Sequence, residues 1–307
     1  MATVDILMPY YGDVPLMRAA VRSVLAQDDP RWRLTVVDDG RADGVPEWFA
    51  GIDDERVRYL RNDRNLGVTG NFNRCLSLVE HEFVVLMGCD DLLLPHYVRT
   101  VLAVHDDVPG AAVVQPGVVV IDGAGKPVRT LADEAKRRLY APKHSGRHSG
   151  RLTMSGEPLA VSLLRGDWLY FPSLCWRAST IAGLRFRDDL GVIQDLAFLL
   201  ELVQRDARLV VDDAVCFEYR RHTGSESSST AVHGSRFVEA GRFFAETAVR
   251  MTEHGWPTAA RVARRHLSSR LFALTLLPNA LRQPGRPAVG ALARHAFGRP
   301  KPTTAAR

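Results

Sequence analysis

The sequence predicts an α/β fold in which a doubly wound, mostly parallel sheet is followed by a helical C-terminal extension. Short apolar runs alternate with segments of helical periodicity over the first hundred residues. Strands that are apolar throughout are typical of a parallel sheet with helices on both faces. From residue 235 onward the pattern is helical and basic. A chain of 307 residues is long enough for one large core and a smaller appendage.

The first half alternates strand and helix in order. Leu16, Ala20 and Val24 recur every fourth residue and predict an apolar helix face. The apolar runs are followed by proline, aspartate or glycine, which are typical of turns. The predicted strands are residues 4–8, 34–37, 57–60 and 83–87, and the predicted helices are residues 14–26, 69–79 and 95–105.

The pattern changes after residue 111. Asp122-Gly123 predicts a turn after the strands at 111–115 and 118–121. Residues 132–151 are polar, and the glycines beside His144 and His148 favour a loop over a metal-binding helix face. The predicted strands are residues 111–115, 118–121, 209–211 and 214–220, and the predicted helices are residues 156–165 and 195–203.

Prolines punctuate the basic C-terminal quarter. Pro257, Pro278 and Pro284 are expected to break its helices, because proline lacks the backbone donor that a helix needs. The tail from residue 299 is expected to be disordered. Three interpretations fit the apolar residues at helical spacing there: packing on the core, a homodimer interface, or peripheral attachment to an anionic membrane. We predict the first, with at most weak membrane contact.

Charge and cysteine content narrow the function class. The formal net charge is +5, with acidic and basic residues mixed along most of the chain, which suits anionic small molecules or an acidic membrane surface. No zinc-finger spacing or aromatic RNA-binding motif occurs, so no nucleic-acid partner is predicted. The four cysteines lack the spacing of a zinc site or disulfide framework. With neither a signal-peptide pattern nor a membrane-length apolar run, we expect a cytoplasmic protein.

Three predicted strands end in polar segments, residues 9–13, 38–40 and 88–91. Ligands of open α/β sheets bind outside the carboxyl ends of the strands, so we expect all three segments at one edge. The phosphate-binding loop of P-loop enzymes, the dinucleotide-binding glycine motif and the nucleophile elbow are all missing from the sequence. Kinase-like, dehydrogenase-like and serine-hydrolase functions therefore lose support.

Two pairs of aspartates occupy these strand ends. Adjacent carboxylates such as Asp90 and Asp91 repel each other, and a hard divalent cation would relieve that repulsion. The alternative is that one of them caps the helix that begins near Pro95. We expect Asp91 to face solvent. Asp38 and Asp39 are compatible with a turn before a helix and equally with a hydrogen bond to a base edge or ribose.

An ordered set of short motifs resembles the family 2 glycosyltransferases, which have the GT-A fold. Their order and spacing agree over roughly the first hundred residues, and later marks extend the resemblance to about residue 228. The motifs are ILMPYY (6–11), SVLAQ (23–27), VVDDG (36–40), NLG (65–67) and CDD (89–91). We therefore predict an inverting transfer of a sugar from a nucleotide diphosphate to an unknown acceptor hydroxyl, aided by Mn²⁺ or Mg²⁺.

The resemblance implies roles on the donor side. It makes Asp90 and Asp91 the metal and diphosphate motif, with Asp91 on the metal and Asp90 on the nucleotide. Gly88 stands where many relatives carry another acid. The segment Asn71-Phe72-Asn73 stands where many place an arginine and an asparagine, so no base-contacting arginine is expected there. The residues implied to hold the base and ribose are Pro9, Tyr11, Asp38 and Asp39.

Residues of the second half are implied on the acceptor and leaving-group side. Asp195 opens an apolar helix where the family's catalytic carboxylate commonly lies, and we expect it to take the proton from the acceptor hydroxyl. The alternative is an acid favoured there by the helix dipole. His222 is expected to reach the metal or phosphates, unless it is only a polar loop residue. Arg220 and Arg221 are expected to neutralise the diphosphate.

The acceptor surface and the domain plan complete the prediction. Trp168, Pro172 and Ser173 are expected to line the acceptor side, although Trp168 is also compatible with a core position. The plan is a nucleotide-sugar-binding half (1–110), an acceptor-binding and catalytic half (111–230) and the C-terminal extension (231–307). Two other functions remain open: a non-catalytic nucleotide-sugar-binding module and a sugar nucleotidyltransferase.

Overall fold

Strands and helices alternate through the first half of the chain in the predicted order. The computed structural model describes residues 2–129, 151–221, 235–282 and 288–298. Every strand and helix predicted up to residue 105 is present. The elements are β1 (Val4–Tyr10), α1 (Val14–Leu25), β2 (Trp32–Asp38), α2 (Val45–Ala50), β3 (Val57–Arg61), α3 (Gly67–Leu76), β4 (Phe83–Leu86), β5 (Leu92–Leu93), α4 (Tyr97–Asp107) and β6 (Val113–Ile121).

The second half adds four short or irregular elements to those predicted and then becomes helical. The loop predicted over residues 132–151, with His144 and His148, lies almost wholly outside the described residues, as do Pro284 and the tail. The elements are β7 (Arg151–Met154), α5 (Gly156–Arg165), a 3₁₀ turn (Phe171–Ser173), β8 (Cys175–Arg177), α6 (Ala178–Ile181), α7 (Gln194–Gln204), β9 (Leu209–Arg220), α8 (Ser235–Glu253), α9 (Pro257–Arg265), α10 (Leu267–Arg282) and α11 (Val289–Phe297).

One sheet carries the described strands in the order β3-β2-β1-β4-β8-β6-β9-β5, with β7 also paired to β9. The first four strands of this order are parallel, and β6 is parallel to β9. β8 joins the two parallel parts by pairing antiparallel with β4 and β6. β5 and β7 are short antiparallel additions to β9. The mostly parallel, doubly wound sheet predicted from the sequence is confirmed.

Two pairs of predicted strands are each one strand. β6 covers the runs at 111–115 and 118–121, and β9 covers those at 209–211 and 214–220. The register between them shifts at Gly117, where a Cβ would lie 2.7 Å from the carbonyl oxygen of Asp213. A glycine that admits such a close backbone approach marks a bulge inside a strand, which is why the apolar pattern is interrupted there.

The C-terminal prolines differ in their effect. Pro257 begins α9 and separates it from α8, so the predicted break is confirmed. Pro278 lies inside α10, so the break predicted there is wrong. Proline removes one helical hydrogen bond, but Ala273 and Ala280 on either side are buried in a small core shared with Leu292 of α11. This packing keeps the helix continuous.

Helices cover both faces of the sheet. Ile6 and Met8 of β1 pack into the core on the α1 and α4 side, whereas Leu7 points to the opposite face. Phe243 and Phe244 of α8 belong to the same core as Leu7, so the C-terminal extension begins by packing on the main fold, as predicted. Among the described helices, none combines the length and the apolar character needed to cross a membrane.

Candidate active site

The carboxyl ends of β1, β2 and β4 meet at one edge of the sheet, as the sequence predicts. Tyr10 and Asp38 pair in register at the ends of β1 and β2, and the Asp39 N–H donates to the Tyr10 carbonyl over 2.9 Å. On the other side of β1, the Met87 N–H donates to the Leu7 carbonyl over 2.9 Å. The three polar segments that follow these strands are therefore neighbours.

Asp38 is fully buried, and protein donors hold its carboxylate. The Tyr59 hydroxyl donates to it over 2.5 Å, Arg61 Nε over 3.0 Å and the Gly40 N–H over 2.8 Å. Tyr59 and Arg61 are two residues apart on β3 and so lie on the same face. Asp38 thus fixes the turn after β2, and its contact with a base or ribose stays a prediction.

Asp39 is also buried, and it caps the N-terminus of α3. Its carboxylate accepts from the N–H groups of Leu66 over 2.8 Å and Gly67 over 2.9 Å. The Asn62 amide adds a third donor over 2.8 Å. A helix N-terminus carries partial positive charge, so an aspartate is stabilising there. The predicted contact of Asp39 with the nucleotide also stays a prediction.

Asn71 serves this same edge from inside the protein. It is buried, donates to the Val37 carbonyl over 3.0 Å and accepts from Asn62 over 3.1 Å. Asn73 is buried too and binds both the N–H and the carbonyl of Phe186. These asparagines join α3 to the sheet and to the second half of the chain.

Tyr11 is open to solvent at this edge, with 67% of its surface exposed. The preceding Tyr10 is buried and donates its hydroxyl hydrogen to the Gly12 carbonyl over 3.0 Å. Gly40 lies beside Tyr11, since a Cβ at Gly40 would be 3.7 Å from the Tyr11 ring. Pro9 is half-buried at the end of β1. The Tyr11 ring and the Gly40 backbone form an open ledge.

Asp91 is 1% exposed, so the expectation that it faces solvent is wrong. The chain turns at once into β5, which pairs with β9, and the Arg220 N–H at the end of β9 donates to Asp91 Oδ1 over 2.8 Å. Burial raises the pKa of Asp91 well above its usual value, and the charge of Asp90 raises it further. A cation beside the two carboxylates would relieve this unfavourable arrangement.

Gly88 leaves the room that the Asp91 carboxylate occupies. A Cβ at position 88 would lie 2.5 Å from Asp91 Oδ2 and 3.1 Å from Asp90 Oδ1. Any side chain there, including the acid that the resemblance associates with this position, would force Asp91 to move. Gly88 thus leaves this space to the Asp91 carboxylate, and the strand end holds two carboxylates.

The two arginines after β9 differ in their contacts. Arg220 is buried, and its guanidinium donates to the backbone carbonyls of Asp90 over 2.7 Å and Asp122 over 3.0 Å. These bonds join the Asp90 turn to the turn after β6 and argue against the predicted contact of Arg220 with a diphosphate. Arg221 is half-buried, with its guanidinium 5.7 Å from the centroid of the Tyr219 ring.

Asp195 lies in the first turn of α7, as predicted, and is half-buried. Its Oδ1 accepts from the Leu196 N–H over 2.7 Å. The preceding residue, Gln194, accepts from the Thr69 hydroxyl of α3 over 3.0 Å. Asp39 caps the start of α3, and Thr69 of α3 binds Gln194 at the start of α7. The turn after β2 and the start of α7 are therefore connected through α3.

Tyr219 lies within electrostatic reach of both Asp195 and the carboxylate pair. Burial raises the pKa of its hydroxyl, and the charges of Asp91, Asp90 and Asp195 raise it further. Each of the three carboxylates is therefore close enough to Tyr219 to influence the pKa of its hydroxyl. The ring of Tyr170 packs against Tyr219 with centroids 5.2 Å apart. That Asp91, the predicted metal ligand, and Asp195, the predicted base, serve one site stays a prediction.

Two of the predicted acceptor residues are buried. Trp168 is 5% exposed and donates its indole N–H to the Ser162 hydroxyl over 3.1 Å, which is the core position left open as its alternative. Ser173 is fully buried, and its hydroxyl donates to the Tyr170 carbonyl over 2.7 Å. Their positions argue against direct acceptor contact for both side chains. Pro172 is half-buried and stays a candidate.

Several residues at the site were not predicted from the sequence. A period of two along β3 places Tyr59 and Arg61 on one face, and this signal could have identified them. Tyr219 precedes Arg220 and Arg221, the predicted diphosphate residues, in the sequence. Its place near carboxylates depends on tertiary packing.

The carboxylate pair suits a hard divalent cation. Asp90 and Asp91 supply oxygen donors, the kind that Mg²⁺ and Mn²⁺ prefer. Among the residues that the structure describes, no cluster of three or more His, Cys, Asp or Glu side chains is placed to hold a metal. The predicted further ligand, His222, lies outside those residues.

The chain matches a known protein family over a little more than its first half. The family model described as Glycosyl transferase family 2 matches residues 5–169, more than half of the chain. An uncharacterized protein of Mycobacterium tuberculosis is 26% identical over 247 residues, covering 76% of this chain and 72% of that protein. The succinoglycan biosynthesis protein ExoO of Rhizobium meliloti is 25% identical over 227 residues, and the chain spans 62% of its length, with 73% of this chain covered.

Solved structures show the same fold. S. aureus TarS in complex with UDP-GlcNAc matches with a TM-score of 0.70 at 14% identity, covering 96% of this chain and 81% of that one. The mannosyltransferase PcManGT from Pyrobaculum calidifontis, in complex with GDP-Man and Mn²⁺, matches with a TM-score of 0.55 at 17% identity, covering 95% and 84%. The predicted GT-A fold is confirmed.

Proposed function

This chain belongs to glycosyl transferase family 2, and we propose that it transfers a sugar from a nucleotide diphosphate sugar to an acceptor hydroxyl with inversion at the anomeric carbon. The meeting of the polar strand ends at one edge of the sheet, joined to the start of α7 by the Thr69–Gln194 hydrogen bond, carries this proposal. Such a transfer needs a charged group for the leaving diphosphate and a separate base for the acceptor. The solved neighbours in complex with UDP-GlcNAc or GDP-Man support a donor of this class.

We place the donor nucleotide at the edge formed by β1 and β2. Tyr11 offers an exposed aromatic ring against which a base can lie. Because Asp38 and Asp39 are buried, they act through the backbone that they hold. Asp38 holds Gly40, and Asp39 holds residues 65–67. Their contribution is a rigid floor for the nucleotide.

The diphosphate lies near the end of β4 in this proposal. Asp91 would hold Mn²⁺ or Mg²⁺, with Asp90 facing the nucleotide and His222 as a further ligand. When bound, the cation neutralises the charge that develops on the departing nucleotide diphosphate. We assign Arg221 to the diphosphate side, because the guanidinium of Arg220 is engaged with backbone carbonyls.

Asp195 is the proposed base. Its carboxylate takes the proton from the acceptor hydroxyl while that oxygen bonds to the anomeric carbon. The bond from that carbon to the diphosphate oxygen breaks on the opposite face, which inverts the configuration. Proton removal by a positioned carboxylate typically contributes about 10²–10⁴-fold to the rate. The rings of Tyr170 and Tyr219 give the sugar an aromatic surface beside this base.

Incubation with Mn²⁺, a panel of UDP- and GDP-sugars and a panel of saccharide acceptors tests the proposal. We expect metal-dependent release of the nucleoside diphosphate, and a product whose anomeric configuration, measured by NMR, is opposite to that of the donor. Release of pyrophosphate would indicate a nucleotidyltransferase. Binding of the donor without any release would indicate a non-catalytic module. Either result overturns the proposal, and retained configuration overturns the inverting mechanism.

A further inference from the structure

Residues 191–193, at the end of the segment 187–193 that precedes α7, are held by Glu239 of the C-terminal extension. Glu239 of α8 accepts from the Gly191 N–H over 2.9 Å through Oε2. Its Oε1 accepts from the Val192 N–H over 2.9 Å and the Ile193 N–H over 3.0 Å. Hydrogen bonds to an ionised carboxylate are stronger than neutral ones. One carboxylate therefore fixes the backbone at the entrance to α7.

The same face of α8 makes two further contacts with this segment. Arg242 donates to the Asp189 carbonyl over 2.7 Å and to its carboxylate over 3.0 Å. Glu246 accepts from Arg187 over 3.0 Å. Residues 239, 242 and 246 follow the spacing of three and four that places side chains on one helix face. The contact is therefore a continuous interface along two turns of α8.

This interface ends at the proposed base. Ile193, which Glu239 holds, is two residues before Asp195. Arg236 lies one turn before Glu239 on α8, and the charge of Asp195 partly offsets the lowering of the Arg236 pKa by burial. Helix α8 thus brings a backbone clamp and a positive charge to the start of α7.

We infer that Glu239 is a positioning residue for Asp195, and that α8 belongs to the catalytic unit. This inference rests on the proposed function, in which Asp195 is the base. Misplacing a reacting group by about 1 Å can cost about 100-fold in rate, so a residue that fixes the entrance to α7 controls turnover. In this proposal the donor binds at the ends of β1 and β2, where the partners of Asp38 and Asp39 come from β3, α3 and the adjoining turns, so the donor Kd should not depend on Glu239.

Hydrogen exchange tests the clamp without reference to catalysis. In Glu239→Gln, one of the two carboxylate oxygens becomes an NH₂ group that faces backbone donors. We expect faster exchange at the amides of residues 191–193, with little change elsewhere. The matched control is Glu253→Gln, an exposed acid on the same helix, which should leave these amides unchanged. Unchanged exchange in Glu239→Gln would overturn the clamp.

A double-mutant cycle tests the link to Asp195. We expect Glu239→Gln to lower kcat about tenfold while the Kd for UDP or GDP with Mn²⁺ stays unchanged. In an Asp195→Asn background the same change should lower kcat no further, because the group that it positions is already absent. Equal losses in both backgrounds would overturn the positioning role.

The cycle also separates failure of the inference from failure of the proposed function. If Asp195→Asn alone turns over at the wild-type rate, the proposed base is wrong, whatever Glu239 does. If Glu239→Gln does not fold, Glu239→Asp, which keeps the charge on a shorter stem, takes its place in both experiments. Suppose that one of these two variants shows faster exchange at residues 191–193. If its kcat equals that of the wild type, the inference is also overturned.

Discussion

The two sides of the site are held by the same device from different parts of the chain. On the donor side, Asp39 accepts from the N–H groups of Leu66 and Gly67 and holds the start of α3. On the base side, Glu239 accepts from three successive N–H groups before α7. Asp39 follows β2 of the parallel sheet, whereas Glu239 lies beyond β9, in the helical extension.

This difference shows what each side depends on. On the donor side, the contacts of Asp38 and Asp39 lie within the region from β1 to β4, because their partners come from β3, α3 and the adjoining turns. The base side is complete only when α8 packs on the core. Changes to the extension should therefore lower turnover, and changes at β4 should lower donor binding.

Removing the extension should have the largest effect. A chain that ends at residue 234 lacks Glu239 and also Phe243 and Phe244, which are buried in the main core. Losing one buried phenylalanine typically costs about 3–5 kcal/mol, so we expect no cooperative thermal unfolding and no turnover. A chain that ends at residue 298 keeps every described helix and should behave like the full chain. A folded, active chain ending at 234 would refute the dependence on α8.

Asp195→Asn should have the next largest effect, confined to the base side. The substitution keeps the shape and removes the proton acceptor, so turnover should fall by about two orders of magnitude. Donor affinity, measured by titration of UDP or GDP with Mn²⁺, should stay nearly constant. Asp188→Asn, at an exposed position in the same segment, is the control. A wild-type rate in Asp195→Asn would make Asp195 a structural helix residue.

Asp91→Asn should show the reverse pattern. The amide oxygen still accepts the Arg220 N–H, so the fold should be retained, but the charge that a cation needs is gone. Even indirect changes around metal ligands typically cost about 10–100-fold in metal affinity. We expect Mn²⁺ to strengthen UDP or GDP binding in wild type and in the exposed control Asp63→Asn, but not in Asp91→Asn. Unchanged metal dependence would remove Asp91 from the site.

Local sequence patterns predict some parts of this site, and tertiary contacts determine the rest. The strand ends and the first turn of α7 were predicted because an apolar run followed by polar residues is a local signal. The burial of Asp91 was not, since it depends on β5, a strand of two residues paired with β9. Trp168 was ambiguous because a core residue and a sugar platform share one pattern. Glu239 could not be found, because its partners lie 46 to 48 residues away.

The smallest expected effect is weak membrane binding by the outer surface of the extension. The sequence contains neither Asp nor Glu after Glu253, whereas arginine recurs. Leu267 and Leu271 of α10 are 60% and 56% exposed and lie one turn apart. A basic helix with exposed leucines can lie on an anionic membrane. Because α8 and α9 are committed to the core, we expect any such contact to be weak and mainly electrostatic.

Sedimentation with anionic and zwitterionic vesicles measures this contact. We expect a small bound fraction on anionic vesicles at low salt, and its loss near 0.15 M salt, where charges separated by more than about 8 Å are screened. Leu267→Ser with Leu271→Ser should lower the fraction bound at low salt and leave turnover of soluble substrates unchanged, because α10 packs with α11 in a small core apart from the main one. Binding that resists salt would show that apolar insertion dominates. Loss of turnover in the double variant would show that α10, like α8, supports the base side.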